Sequence, residues 1–262
     1  MNSNSYEYMG MMASAWDLLR GDTSSWPDRF FYKDLILKHG QPALDVGCGT
    51  GRLLLDYLAQ GIDIDGVDNS PEMLAICAEK AQQLGLHPQL FEQPMERLDL
   101  PRTYRTIIVP SSSFQLLTDL QNAQEAIQRL FQHLEPGGVL VMPFMLLWNE
   151  LTTEPLVQGA WELVGEAYRP EDDSSIRRWT RSTYDIPHQL ESTEDRYEVL
   201  RDSTVIATEM HVRSPATRWY SQQQAMRLYQ EAGFISIQVL KEFSRELASQ
   251  EDTVFSIIGR RP

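Results

Sequence analysis

Leu44–Gly51 reads LDVGCGTG, an apolar run, then glycines at alternate positions, then a helical pattern carried by Leu53, Leu54, Tyr57 and Leu58. This segment constrains the fold more than any other. Glycines so spaced let a tight turn take positive φ and let backbone approach a ligand. A strand, a glycine turn and a helix in that order predict the first unit of a parallel α/β sheet, with a ligand beyond the strand's carboxyl end.

The units that follow agree. Ile62–Val67 is a second strand ending at Asp68. Pro71–Leu84 is a helix with Ser70 as its cap and Gly85 as its stop. Thr106–Val109 is a further strand. Ala123, Ala126, Ile127, Leu130, Phe131 and Leu134 form one helical stripe, broken by Pro136-Gly-Gly138 before the strand Val139–Met142. Residues 43–144 therefore alternate strand and helix, which implies a parallel sheet covered on both faces.

After about Asn149 the helical stripe stops. Trp161–Tyr168, Ile176–Ile186, Arg196–Arg201 and Thr204–Arg213 read as strands, with Asp202-Ser203 as a two-residue hairpin turn. Residues 150–213 are thus expected to form an antiparallel β insertion, a lid or dimer surface in a core made of 1–149 and 214–262. The core resumes with a helix from Ser221, where Ser221 and Gln224 suit a capping box, and it ends at Gly233. Strands Ile235–Leu240 and Thr253–Gly259 close the chain.

The spacing Gly47-x-Gly49-x-Gly51 places Arg52 where a dinucleotide site prefers its third glycine. Asp45, inside the strand, can face a ligand and accept from an ammonium. Asp68 suits ribose hydroxyls. Two acids with no basic cradle fit a nucleoside with a cationic amino-acid end better than a diphosphate.

These residues carry a resemblance. ALDVGCGTG looks like motif I of the class I S-adenosylmethionine-dependent methyltransferases. GVDNSPEML (66–74), LEPGGVLVM (134–142) and AGFISIQVL (232–240) resemble later segments of that family, in order. The resemblance covers roughly 40–144 and 215–262. It implies a Rossmann-like, seven-stranded, mostly parallel sheet with one antiparallel strand near its edge, and S-adenosylmethionine as cofactor. By that resemblance Asp45 and the loop Gly47, Cys48, Gly49 and Gly51 face the methionine end. Asp68 meets the ribose, and Asn69, Met73, Met95 and Glu96 border the adenine. Pro110 and Ser111 lie at the fourth strand's end. The expected activity is methyl transfer to oxygen or nitrogen of a small molecule (EC 2.1.1.-), leaving S-adenosylhomocysteine. Phe144, Trp148 and Asn149 would line the acceptor site. Trp16, with Tyr6 and Tyr8, would cover the donor from the N-terminal segment.

The rest of the sequence bounds the alternatives. His188 and His211 are candidate general bases, although the reaction requires one only for a protonated acceptor. Neither lies at metal-ligand spacing, so no metal site is expected. A formal charge of −14 disfavours nucleic acid and anionic membrane surfaces. The mostly apolar stretch Gly137–Trp148 is too short to span a bilayer. Two cysteines, Cys48 and Cys77, make no disulfide framework, and with no basic N-terminal leader a cytoplasmic home is expected. A homodimer through the insertion is compatible with these features. A non-catalytic S-adenosylmethionine sensor or scaffold and an NAD(P)-dependent oxidoreductase remain as other readings. The oxidoreductase lacks both its glycine spacing and a Tyr-x-x-x-Lys pair.

Overall fold

A computed structural model describes residues 8–148 and 154–262. Seven strands build the main sheet: β1 (Ala43–Val46), β2 (Ile64–Asp68), β3 (Leu90–Glu92), β4 (Tyr104–Ile108), β5 (Leu134–Met145), β11 (Ile235–Lys241) and β12 (Val254–Arg260). Their spatial order is β11-β12-β5-β4-β1-β2-β3. β1 pairs parallel with β2 and β4, β2 with β3, and β4 with β5; β12 runs antiparallel to β5 and to β11. This is the Rossmann-like arrangement expected, with the order reversing between β1 and β4, where such sheets open a crevice.

Every residue of β1 is buried, as a central strand covered on both faces requires. One core cluster gathers Leu44, Ile107, Ile127, Leu130, Tyr229 and Ile257, and a second gathers Phe31, Tyr32, Leu54, Tyr57, Ile64 and Cys77. The helices follow the sequence signals closely. α5 (Pro71–Gln83) starts at Ser70, whose hydroxyl accepts from the Met73 amide. α6 (Leu120–Gln132) starts at Asp119, and α7 (Gln222–Ala232) carries the Ser221–Gln224 capping box and ends at Gly233 with φ +95°. α4 (Leu54–Ala59) follows the glycine loop.

The second sheet contains β6 (Leu156–Gln158), β7 (Glu162–Arg169), β8 (Ser174–Asp185), β9 (Leu190–Arg201) and β10 (Thr204–Arg218). It is antiparallel, in the order β10-β9-β8-β6, with β7 also on β8. Asp202 and Ser203 both have positive φ, 47° and 64°, which is the hairpin turn read from the sequence. β10 runs to Arg218, five residues beyond the expected boundary at 213. A register shift between Arg213 and Thr217 absorbs Pro215 and lets pairing with β9 resume at Thr217 and Arg218. Gln115 fastens this return to the core: its side-chain amide donates to the carbonyls of Met145 and Arg218, and its oxygen accepts from the Met145 amide.

The N-terminal helices α1 (Gly10–Ser14) and α2 (Trp16–Arg20) belong to both sheets rather than to the core alone. Met12 and Ala15 are buried with Ile176, Tyr197 and Val199 of the insertion. The same segment reaches the core: the Gly10 amide donates to Glu72, the Ser70 hydroxyl to the Tyr8 carbonyl, and the Thr50 hydroxyl to Asp17. α3 (Pro27–His39) then enters the core. Among the described residues no helix is long and apolar enough to cross a membrane.

Candidate functional site

The crevice at the carboxyl ends of β1, β2 and β4 holds a cavity of about 280 Å³. Eleven of the twelve residues expected at a cofactor line it: Asp45, Gly47, Cys48, Gly49, Asp68, Asn69, Met73, Met95, Glu96, Pro110 and Ser111. Trp16 and Tyr8 close it from the N-terminal side.

Geometry requires glycine at all three loop positions, two of them on the cavity wall. Gly47 has φ +74°, and a Cβ there would stand 2.8 Å from Ser113 Oγ. Gly49 has φ +54°, and its Cβ would meet Met73 Cε at 3.3 Å. Gly51 departs from expectation. It does not line the cavity; a Cβ on it would meet Cys77 Sγ at 2.6 Å and Leu55 Cγ at 2.8 Å, so it serves the packing of α4 on α5.

Asp45 is 1% exposed, and its Oδ1 has no hydrogen-bond partner. Burial pushes its carboxyl up to about 7; Arg52 pulls the other way. An unpaired carboxylate on a cavity wall favours a cationic ligand group. Asp68 is organised differently. Its Oδ2 accepts from the Gly49 amide at 2.8 Å and its Oδ1 from the Ser70 amide at 2.9 Å. Burial raises its carboxyl above the usual range while these amides oppose the rise. Cys48 is buried and burial holds its thiol far above the ordinary value, so it acts as a small wall residue and not a nucleophile.

Other expected residues lie elsewhere. Phe144 is fully buried in an aromatic cluster, stacked on Phe255 at 5.6 Å and edge-on to Tyr220 at 5.8 Å and Phe114 at 6.1 Å. It does not line the cavity, because its side chain points to the α6 and α7 side of the sheet, where these rings pack. Trp148 packs on Tyr184 of β8 at 5.2 Å, away from the cavity lining. Asn149 and Tyr6 lie outside the described residues. His188 is exposed and pairs with Asp185 at 2.8 Å. His211 pairs with Glu209 at 2.6 Å, and Glu209 also accepts from the Met11 amide, so His211 buttresses the N-terminal segment. Neither histidine lines the cavity.

Several lining residues were not read from the sequence: Arg20, Thr50, Arg52, Leu53, Gln93 and Ser113 among them. Arg52, half-buried, pairs with the buried Asp28 through two hydrogen bonds. Arg20 carried one readable signal, its position four residues after Trp16 on a single helix face. Ser111 and Ser112 both adopt left-handed backbone, φ 55° and 56°, at the end of β4. Consecutive non-glycine residues there are strained, and such strain concentrates at functional turns.

Comparison with known proteins adds to this geometry. A family profile described as "Methyltransferase domain" matches residues 43–138. A protein of Geobacillus sp. (strain WCH70) called "Putative methyltransferase" is 24% identical over 207 residues, 79% of this chain and 79% of the relative. The demethylmenaquinone methyltransferase of Thermus thermophilus is 32% identical over 138 residues, which is 52% of this chain and 58% of that protein. Among solved structures, the CcbJ methyltransferase of Streptomyces caelestis aligns with a TM-score of 0.74 at 19% identity, covering 95% of this chain and 96% of that one. DesVI of Streptomyces venezuelae aligns with a TM-score of 0.68 at 20% identity, covering 97% and 100%. These structural likenesses extend across both sheets.

Proposed function

We propose that this chain, whose residues 43–138 match a profile described as "Methyltransferase domain", is a class I S-adenosylmethionine-dependent methyltransferase that binds S-adenosylmethionine in the β1–β2–β4 crevice and methylates an oxygen or nitrogen of a small molecule. The carrying observation is Asp45: a buried carboxylate with an unpartnered oxygen on the wall of a glycine-lined cavity. That oxygen matches the ammonium of the cofactor's methionine end. Arg20 and Arg52 also line the cavity, contrary to the expectation of no basic cradle, so the argument against a nicotinamide dinucleotide rests on the unpaired Asp45 oxygen and on Arg52 standing where that site prefers its third glycine.

When bound, the cofactor supplies a methyl group already activated on a sulfonium, displaced in line by the acceptor. The protein's work is therefore placement. The Gly47 and Gly49 backbone gives close approach; Asp68, fixed by two amides, presents its carboxylate toward ribose hydroxyls; Met73, Met95 and Glu96 border the adenine. Trp16 and Tyr8, edge-to-face at 4.9 Å, cover the opening and keep water from the reacting atoms. Holding two reactants in line can contribute on the order of 7–11 kcal/mol. Pro110, Ser111, Leu116 and Leu117 form part of the remaining wall, and the acceptor would approach along it. With His188 and His211 outside the cavity, the reading favours an acceptor that arrives already deprotonated, as an amine can.

Relatives of known name support a small-molecule acceptor. They include demethylmenaquinone and ubiquinone-biosynthesis methyltransferases and the structurally similar sugar N-methyltransferase KedS8. The test is transfer of radiolabelled methyl from S-adenosylmethionine to a panel of amino sugars, other amines and quinols. Asp45→Asn serves as the control and is expected to abolish transfer. Cofactor binding with no transfer to any acceptor would instead indicate a sensor.

A further inference from the structure

Arg52 and Asp45 line the same cavity, and the charge of Arg52 stands close enough to draw the Asp45 carboxyl down against the effect of its burial. Among the described residues, though, Asp45 Oδ1 has no hydrogen-bond partner. A buried carboxylate left open beside an arginine is costly, because pairing would satisfy both groups. Asp28 accounts for the missing pair. It sits in the first turn of α3, is 5% exposed, and takes both ends of the guanidinium: Arg52 Nη1 donates to its Oδ1 at 3.1 Å and Nη2 to its Oδ2. Two parallel bonds of this kind fix the plane of the guanidinium as well as its position. Trp26, the N-cap of the same helix, adds a second restraint, with its ring centre 5.1 Å from the guanidinium carbon. The start of α3 thus holds Arg52 by its N–H edge and by its flat face. The other acid beside Asp45, Asp68, is held by the Gly49 and Ser70 amides and adds only like charge.

We propose that Asp28 is a positioning residue for the methyl donor: by holding Arg52, it keeps the Asp45 carboxylate open for the cofactor's ammonium. The inference rests on the reading of the crevice as an S-adenosylmethionine site. Without the charge of Asp28, Arg52 would turn to the unpaired carboxylate that shares its cavity. Asp45 would then be neutralised from within the chain before a ligand arrived, and an ammonium would have to compete with a tethered guanidinium. The two acids divide the work. Asp28 satisfies the chain's own cation, and Asp45 is left for the ligand's.

The test titrates S-adenosylhomocysteine and its deaminated analogue, with hydrogen in place of the amino group, calorimetrically into the full chain. The titrations run at about pH 8, above the value near 7 at which Asp45 ionises. Wild type is expected to bind the amino-bearing ligand about 10- to 100-fold more tightly, the range for a charge-assisted bond. Asp28→Asn is expected to cut that preference to about threefold or less while leaving the deaminated ligand within about twofold of its wild-type affinity, a pattern that loss of structure alone does not give. Asp28→Ser, which also removes the charge, serves if the asparagine variant does not fold. Adding Arg52→Gln to Asp28→Asn takes away the cation that would occupy Asp45 and leaves no lone buried charge, so the preference is expected to return to within about threefold of wild type. Undiminished preference in the folded Asp28 variant overturns the proposal. So does an equal loss for both ligands, or a double variant with a preference as low as the single one. Equal wild-type affinity for the two ligands removes the ammonium from Asp45 and overturns it as well. Wild type binding neither ligand overturns the cofactor reading of the crevice, and this proposal with it.

Discussion

The Gly49 amide donates to Asp68 Oδ2 at 2.8 Å, joining the turn after β1 to the end of β2. The same carboxylate holds the Ser70 amide at the start of α5. One side chain therefore sets the spacing between two walls of the crevice and still presents its charge to the cavity. Asp68→Ala removes both bonds. Loss of a charged acceptor at the ligand is expected to weaken S-adenosylhomocysteine binding by roughly 1–3 kcal/mol, read by titration calorimetry. An unchanged affinity would remove Asp68 from the site.

Asp45 makes the pH behaviour of the site specific. Its carboxyl titrates near 7 in the fold, against about 3.8 in an unfolded chain. The folded state without ligand therefore holds the proton longer. The group's contribution to stability is greatest below about pH 4, declines as pH rises toward 7, and is flat above. Ligand binding has the opposite sense, because an ammonium requires the ionised form. Affinity for S-adenosylhomocysteine is expected to rise with pH by up to about tenfold per unit below 7 and to level off above it. Asp45→Asn should bind weakly, with a flat profile between about pH 5.5 and 8.5. A flat wild-type profile would contradict this role for Asp45.

Phe144 tests the separation of core from site. Its ring is fully buried among Phe114, Tyr220 and Phe255. Phe144→Ala is expected to cost about 3–5 kcal/mol of stability in urea denaturation. Affinity for S-adenosylhomocysteine, measured well below the unfolding midpoint, should stay within about twofold of wild type. A large loss of affinity with stability intact would return Phe144 to the ligand.

Gly51 makes the parallel test inside the motif. Its φ is +83°, and Cys77 Sγ stands 2.6 Å from where a Cβ would project, which leaves no room for a side chain. Gly51→Ala is expected to lower stability by about 1–3 kcal/mol through strain and overpacking. Ligand affinity of the folded fraction should change little, since Gly51 does not line the cavity.

Much of this was legible because the core is periodic and its punctuation is local. Ser70, Gly85, Ser221 with Gln224, Gly233 and Asp202-Ser203 mark element ends by backbone chemistry that neighbours in the chain supply. Asp45 and Asp68 were legible because they sit at fixed distances from the glycine turn. Phe144 was misplaced because the resemblance set it beyond a strand expected to end at Met142, whereas β5 runs on to Met145 and carries the ring into the core. Arg20 and Arg52 escaped because their roles depend on partners, Trp26 and Asp28, that the folding of the N-terminal helices brings to them. The bracing of α1 and α2 against the insertion, through Met12, Ile176 and Tyr197, joins segments far apart in the chain and left no local pattern.

The central claim is that the glycine-lined crevice holds a sulfonium nucleoside and not a pyridine dinucleotide. Calorimetric titration of the purified chain with S-adenosylhomocysteine and, separately, with NADH tests it most directly. The account predicts saturable one-to-one binding of S-adenosylhomocysteine, lost in Asp45→Asn, and no heat of binding with NADH. Saturable binding of NADH, or none of S-adenosylhomocysteine, would contradict it.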